Sequence, residues 1–427
     1  MTGIWLPVVV LTLLTICDAA LSFQPRLSGQ SQIVHSHSSQ FMSSESADNS
    51  VGSGMLDLVF GFVKTKVAYQ FSKLCAADIL TNSNGSAESF AAAANMDHSL
   101  SLRFLRAAVA VDLLTECNTG DGDGNGDGNE AVFAPTELGL GIGSINSPGR
   151  GIVLLEASPE YASAWDQFDR VLQTGEIGWE LAHGVPRIYD SIDESKISTL
   201  TSSGSGKTLP GFRDTFYQGL RSWGGMEEGD ILSADGVQNL IAGLPSEAVV
   251  ADIGGGEGSF ASKLLGLRSD ISVLLQEQAV TCEAARSNPV LKPLIDTNRV
   301  TILERSFFDG VLDLETNVVA APHLYILKYV LHNWGDDDCI QILRNVRTAI
   351  EKQANVADCR ILIIEHGPIE STPEIRLLDL HMAVLCGKGA TERTTTEYSR
   401  LLEKSGLVLH DVHSSKGAVY ALECGIK

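Results

Sequence analysis

The fourteen residues from Ile326 to Cys339, I-L-K-Y-V-L-H-N-W-G-D-D-D-C, hold the densest chemistry in the chain. An apolar run ends in His332, and Asp336, Asp337 and Asp338 then open a stretch with Ile340, Leu343, Val346 and Ile350 at helical spacing. Acids suit the positive end of a helix dipole. A histidine at the C-terminal end of a parallel strand stands where such sheets bind ligands. Alone, His332 reads equally well as a satisfied structural ring. Two acids assigned to neighbouring strand ends change that: Glu365 after I-L-I-I and Glu392 in T-E-R-T. An imidazole flanked by orienting carboxylates is the arrangement of a general base near neutral pH. No carboxylate cluster of metal-binding spacing accompanies it, so no metal is expected.

The second chemical stretch is Val249 to Ser259, V-V-A-D-I-G-G-G-E-G-S, followed by helically spaced S-F-A-S-K-L-L-G-L. It reads as strand, glycine turn, helix. Glycines let a ligand approach the backbone, and the helix start presents free N–H groups. A dinucleotide fingerprint needs a third glycine at position 259, which is Ser259. The glycines instead fall at Gly254, Gly256 and Gly258, with Asp252 just before them. This spacing resembles motif I of the S-adenosylmethionine-dependent methyltransferases. The plainer reading is a β–α turn without a ligand. Glu277, at the expected end of the next strand, can accept from both ribose hydroxyls of a nucleoside.

Elements that must position these groups follow from the alternation after Ala248. Strands are expected at 248–253, 271–276, 299–303, 323–328, 359–365, 406–412 and 417–423, with helices between the first five. That is a parallel, doubly wound α/β sheet. The short S-S-K-G link before the last strand predicts an antiparallel closing hairpin.

Upstream, residues 55–80 read as one helix, with Leu56, Val59, Phe62, Val63 and Val67 at helical spacing, and residues 98–116 as a second. A polar loop, T-G-D-G-D-G-N-G-D-G-N-E, and then A-V-F-A-P-T follow, the order of a winged-helix unit with an enlarged wing. Asp121, Asp123, Asn125 and Gly126 match positions of a calcium loop, but its closing glutamate position is Val132, so the stretch reads as a wing tip. Residues 160–232 read as mostly helical, with Trp165, Phe168, Val171 and Leu172 on one face. Their aromatic-rich, glycine-punctuated segments suit either an ordinary core or the cover of a small-molecule site.

Residues 4–16 are apolar but too short to span a bilayer comfortably, and small residues precede Ser22. The reading is a signal peptide over 1–22 and a transit-like segment at 23–50, rich in Ser, Gln and His and free of acids from Phe23 to Ser44. Together they resemble the bipartite plastid presequence of algae with secondary plastids, with plain secretion as the alternative. The remaining chain divides into a helical domain at 51–232 and a catalytic domain at 233–427.

A length of 427 residues accommodates two domains, and 44% hydrophobic with 20% charged residues is ordinary for a globular protein. The net charge of −22 argues against a nucleic-acid partner, whose phosphates need cationic contacts. Eight scattered cysteines, none in a C-x-x-C pair, give no zinc or disulfide framework.

Residues 249–259, 326–339, 359–368 and 389–396 resemble the motifs of the plant caffeate-type and acetylserotonin-type O-methyltransferases. The first half, notably L-R-F-L-R-A-A-V-A-V-D-L-L-T-E, resembles their winged-helix dimerisation domain. The resemblance implies a class I methyltransferase sheet, S-adenosylmethionine as cofactor, a small hydroxylated aromatic acceptor and a homodimer. It gives His332 the role of base, flanked by Glu365 and Glu392. It places Asp252, Gly254, Gly256, Glu277, Ser306, Phe307 and Lys328 at the cofactor. Three positions depart from the family pattern: Ser306 and Asn333 stand where aspartate is usual, and Glu277 replaces another aspartate. The alternatives are a noncatalytic cofactor-binding protein, a relative using the sulfonium for other chemistry, or a winged-helix regulator. A basic recognition helix is lacking for the last.

Overall fold

The computed structural model describes residues 46–118, 131–193, 196–198, 200, 206, 209–311, 321–353, 356–368 and 370–427. The leader through residue 45 and the Asp/Gly run with Asp121, Asp123, Asn125 and Gly126 lie outside the described residues. The chain forms two compact units, Met1–Ser158 and Pro159–Lys427. Residues 159–232, grouped by sequence with the first half, thus fall in the same unit as the sheet. No helix among the described residues is long and apolar enough to cross a membrane, and no disulfide forms among them.

The first unit contains helices α1 (Ser46–Lys73), α2 (Ala76–Thr81), α3 (Ala87–Ala94), α4 (His98–Val109), α5 (Glu137–Gly143) and α6 (Arg150–Glu156), with strands β1 (Leu114–Asn118) and β2 (Ala131–Pro135). The single helix expected at 55–80 is broken, because Cys75 takes a left-handed backbone with φ 51°. The helix expected at 98–116 ends at Val109. Asp112 is left-handed and the Leu113 amide returns to Ala108 O (2.9 Å), so Leu114 starts a strand antiparallel to β2. Asp97 caps α4 by accepting from the Leu100 amide (3.0 Å). Phe71, Phe90, Leu105, Leu114, Phe133 and Ile142 form the core. Earlier in α1 the apolar residues find no such burial: Leu56, Leu58, Val59, Phe60, Phe62 and Val63 are 41–65% exposed.

In the second unit, α7 (Pro159–Trp165), α8 (Phe168–Thr174), α9 (Gly178–His183), a 3-10 turn at Ile188–Ile192, α10 (Phe212–Leu232) and α11 (Asp235–Ala242) precede the sheet. Trp165, Phe168, Val171 and Leu172 do not share one helix face. Trp165 ends α7, and on α8 Val171 is buried while Leu172 is exposed.

Strands β3 (Val249–Ile253), β4 (Ser272–Glu277), β5 (Val300–Glu304), β6 (Leu324–Lys328), β7 (Arg360–His366), β8 (Leu407–Ser414) and β9 (Val419–Ile426) lie within three residues of the expected ends. Their order is β5-β4-β3-β6-β7-β9-β8. The first five are parallel, and β9 runs antiparallel to both β7 and β8. The strands read as continuous apolar runs because both faces are buried. Along β7, Ile361 and Ile363 pack on one core with Leu343 and Val346 of α15 (Asp336–Glu351). Leu362 and Ile364 pack on the other with Phe260 and Leu264 of α12 (Ser259–Leu267). Helices α13 (Ala279–Ser287) and α14 (Lys292–Asp296) join β4 to β5, and α16 (Pro373–Leu385) and α17 (Thr395–Lys404) join β7 to β8. Between β5 and β6 residues 312–320 lie outside the described residues, and the helix expected there falls in large part on them. Strand order reverses between β3 and β6, and the crevice at their carboxyl ends is where such sheets take ligands.

Candidate active site

Gly254, Gly256 and Gly258 follow β3 with φ of +71°, +59° and +82°, a region costly for any residue with a Cβ. A Cβ on Gly254 would meet Val330 Cγ2 at 2.9 Å, whereas one on Gly256 would enter open space. The turn is therefore packed on one side and clear on another. Glu277 ends β4 beside it. It accepts from the Gln278 amide (2.7 Å) and the Gly256 amide (3.4 Å). Burial raises its pKa in spite of those two bonds.

Asp252 is 1% exposed, and neither carboxylate oxygen has a hydrogen-bond partner. Burial pushes its pKa up to about 7, with Lys328 opposing and Glu228 and Glu277 adding to the rise. An acid left in this state beside an open glycine turn is suited to a cationic or donor-bearing guest. Lys328, at the end of β6, pairs with Glu228 Oε1 (3.2 Å) and lies over the Tyr329 ring. Glu228 is buried on α10 and also takes Lys263 Nζ (3.1 Å) and Ser259 Oγ (2.7 Å). Beyond β5, Ser306 Oγ accepts from the Phe308 amide (3.2 Å), and the Phe307 ring edge stands 3.8 Å from the Cβ position of Gly254.

His332 sits in a 3-10 turn, Leu331–Asn333, just past β6. Tyr329 lets the chain leave the sheet by adopting φ 55°. Glu365, near the end of β7, is fully buried and accepts from the amides of Leu331 (2.9 Å) and His332 (3.3 Å) through one oxygen. Its other oxygen is 3.7 Å from His332 Nδ1. Glu392 makes the direct bond, with Oε1 2.9 Å from Nδ1. It does so from the loop between α16 and α17, not from a strand end as the sequence reading placed it. With Nδ1–H donated to Glu392, the Nε2 lone pair is left available. Burial works against a charge on His332, but Glu365 and then Glu392 outweigh it and raise the pKa. Burial pushes Glu365 up to about 7, with His332 opposing. For Glu392 burial is outweighed by the charge and hydrogen bond of His332, and its pKa is lowered.

Several contributors carried no signal of their own in the sequence. The Arg393 guanidinium donates to Leu331 O (3.2 Å), Trp334 O (2.7 Å) and Asp336 Oδ1 (3.0 Å), tying the histidine turn to the residue beside Glu392. Asn333 donates to Tyr329 O (2.9 Å) and accepts from Tyr189 OH (3.1 Å). An ionised aspartate cannot make the first of those bonds, which gives the departure at this position a physical reason. Tyr189 comes from the aromatic-rich segments and meets Phe216 edge-on. His366, at the end of β7, stacks on Tyr329 at 4.3 Å and bonds Glu227 of α10 through Nε2 (3.1 Å). Burial works against its charge, but Glu227 outweighs it and the imidazole is pushed up to about 9.

Residues 167–408 match a family model described as an O-methyltransferase domain. A mitomycin biosynthesis 6-O-methyltransferase from Streptomyces lavendulae is 29% identical over 252 residues, covering 59% of this chain and 62% of its own length. An 8-amino-8-demethylriboflavin N,N-dimethyltransferase from Streptomyces davaonensis is 28% identical over 84% of this chain and 90% of its own. Among solved structures, that of the mitomycin 7-O-methyltransferase MmcR superposes with a TM-score of 0.69 at 25% identity, covering 90% of this chain and all of that one.

Proposed function

Since the chain belongs to the O-methyltransferase domain family, whose model spans more than half of it, we propose that it moves the methyl group of S-adenosylmethionine onto a hydroxyl of a small aromatic acceptor. The observation that carries this reading is a buried histidine, Nδ1 on Glu392 and backbone on Glu365, set one strand away from an open glycine turn. When bound, the cofactor supplies an electrophilic methyl on a sulfonium and is left as S-adenosylhomocysteine.

Gly254 and Gly256 leave room for close backbone approach, and Glu277 offers its carboxylate to the ribose hydroxyls. Asp252 has two unpaired oxygens for a donor or cation, Lys328 brings a positive charge, and Phe307, next to Ser306 in the chain, borders the same turn. For the acceptor, His332 Nε2 takes the hydroxyl proton as the oxygen forms its new bond. The imidazolium this creates lies between Glu392 and Glu365, so the carboxylates stabilise a charge that burial disfavours. Arg393 and the Asn333–Tyr189 bond hold the histidine turn in place, which matters because much of an in-line displacement is positioning.

The test is calorimetric titration with S-adenosylmethionine and S-adenosylhomocysteine, followed by incubation with phenolic acceptors and mass analysis of the products. Micromolar binding of both ligands and a methyl ether product is expected. No binding by a folded sample removes the reading, and methylamine or decarboxylated products redirect it.

The reading extends to a homodimer built through α1. Six exposed large apolar side chains distributed around one stretch of helix are more than a monomer ordinarily leaves in water, and a second copy would cover part of them. Light scattering is expected to report a dimer for the parent and a monomer for a Leu58→Lys, Phe60→Glu double variant. A monomeric parent ends the idea.

The leader completes the proposal. Its signal-like run followed by an acid-free segment directs the protein to a plastid. Residues 1–50 fused to a fluorescent protein are expected to label plastids in a diatom. Fluorescence in the medium instead would favour secretion.

A further inference from the structure

A second imidazole, that of His366, lies beside the base with ring centroids 6.0 Å apart. His332, His366 and Glu392 each offer a ligand atom within 4.8 Å of the other two. His366 Nε2 is engaged by Glu227 (3.2 and 3.1 Å), while its Nδ1 is buried without a hydrogen-bond partner. Glu392 bonds His332 through Oε1, and its Oε2 is likewise buried and unpartnered, as is Oε2 of Glu365. Buried polar atoms normally find partners, and here three orphans collect around one pair of rings.

We propose that His332, His366 and Glu392 form a binding site for a zinc-type divalent cation whose occupancy switches the enzyme off. Two imidazoles and one carboxylate are a common zinc donor set with one position left open. Tetrahedral coordination at about 2.0–2.2 Å per ligand requires these atoms to close in by roughly 1 Å, a matter of side-chain rotation. Glu227 completes the pattern. A carboxylate that takes one ring N–H of a metal-binding histidine turns the other nitrogen toward the ion, which binds His366 by displacing the proton that nitrogen otherwise holds near neutral pH. Stacking of His366 on Tyr329 (4.3 Å, 16°) holds the ring plane. Whichever nitrogen of His332 binds the cation, the base is lost. Coordination at Nε2 takes the lone pair directly, and coordination at Nδ1 leaves Nε2 carrying the proton. The cation is an inhibitor here, not a cofactor.

The loss of activity rests on the proposed methyl transfer, whereas the site itself does not. The full chain is titrated calorimetrically with Zn2+ alone, and Co2+ is added as an optical probe of tetrahedral coordination. One equivalent of Zn2+ is expected to bind, with tetrahedral Co2+ absorption that Zn2+ displaces. His366→Phe, which removes a ligand, is expected to abolish the Co2+ spectrum. Glu227→Gln, a second variant that leaves the ligands in place, is expected to weaken Zn2+ binding about 10–100-fold. Inhibition is scored against each variant's own metal-free rate, and both variants should require correspondingly more Zn2+. Unchanged zinc affinity in both variants would place the ion elsewhere in the protein and overturn the proposal, as would the absence of a bound equivalent. If no methyl transfer is found at all, the Co2+ spectrum and its dependence on His366 still decide the site.

Discussion

His332→Ala is expected to lower kcat by about 10²–10⁴-fold while leaving the calorimetric affinity for S-adenosylmethionine within a few-fold of the parent. The two readouts separate because of where the ring lies. It follows β6 and is bonded to Glu392, whereas the open glycine turn and Glu277 follow β3 and β4. Removing the ring leaves Glu365 and Glu392 facing one another without the imidazole between them, so the variant also needs a fold check. Glu392, whose pKa the histidine holds down, is expected to take up a proton in its absence. His332→Gln provides the control, since its amide can still donate to Glu392 but cannot accept a proton. Equal losses in the two variants, with both folded, place the deficit in proton transfer. A Gln variant with parental kcat would move the base elsewhere.

Much of this architecture was legible before any coordinates, for reasons particular residues make plain. Strands β3, β6 and β7 are apolar on consecutive positions because α12 covers one face and α15 the other, so V-V-A-D-I, L-Y-I-L-K and R-I-L-I-I-E-H announced themselves. The glycine turn was legible because its backbone needs positive φ at three positions, and few sequences other than glycine permit that. His332 stood out because it interrupts an apolar run just before three acids. What the sequence hid is long-range or conformational. Glu227 and Glu228 are adjacent acids on an amphipathic helix, which normally means solvent; only the fold shows one on His366 and the other on Lys328 and Lys263. Arg393 reads as the neighbour of a catalytic acid, yet its guanidinium is what ties the histidine turn down. The ends of α1 and α4 were misplaced because Cys75 and Asp112 adopt left-handed backbones that no periodicity signals.

The hidden partners also explain why the site can carry so much charge. Four carboxylates, Glu227, Glu228, Glu365 and Glu392, each meet a cation or a histidine within 4 Å. Breaking a buried pair by removing one partner is costly, since it strands the other charge. Asp252 has no such partner, and it therefore separates binding from stability.

Asp252→Asn is expected to raise the melting temperature of the free protein while weakening S-adenosylmethionine binding roughly 10–100-fold. The stability half follows from linkage. The folded-state pKa of about 7 lies above the ordinary aspartate value of 3.8, so the native state holds this proton more tightly than the unfolded chain does. For an acid shifted this way the penalty is absent below about pH 4, grows as pH rises, and is complete above pH 7. A shift of roughly three units sets an upper limit of about 4 kcal/mol on that penalty. The asparagine amide also lacks partners there, which costs about 1–3 kcal/mol, so a net gain of about 1–3 kcal/mol is expected at pH 8 and a net loss of about 1–3 kcal/mol at pH 4. The binding half follows because a hydrogen bond to a charged acceptor contributes about 1.5–3 kcal/mol, and the amide offers only a neutral one. Thermal melts at pH 4 and pH 8, with calorimetry at the higher pH, measure both. A variant that melts lower at pH 8 and binds the cofactor as the parent does would mean that Asp252 holds the turn together rather than holding the ligand.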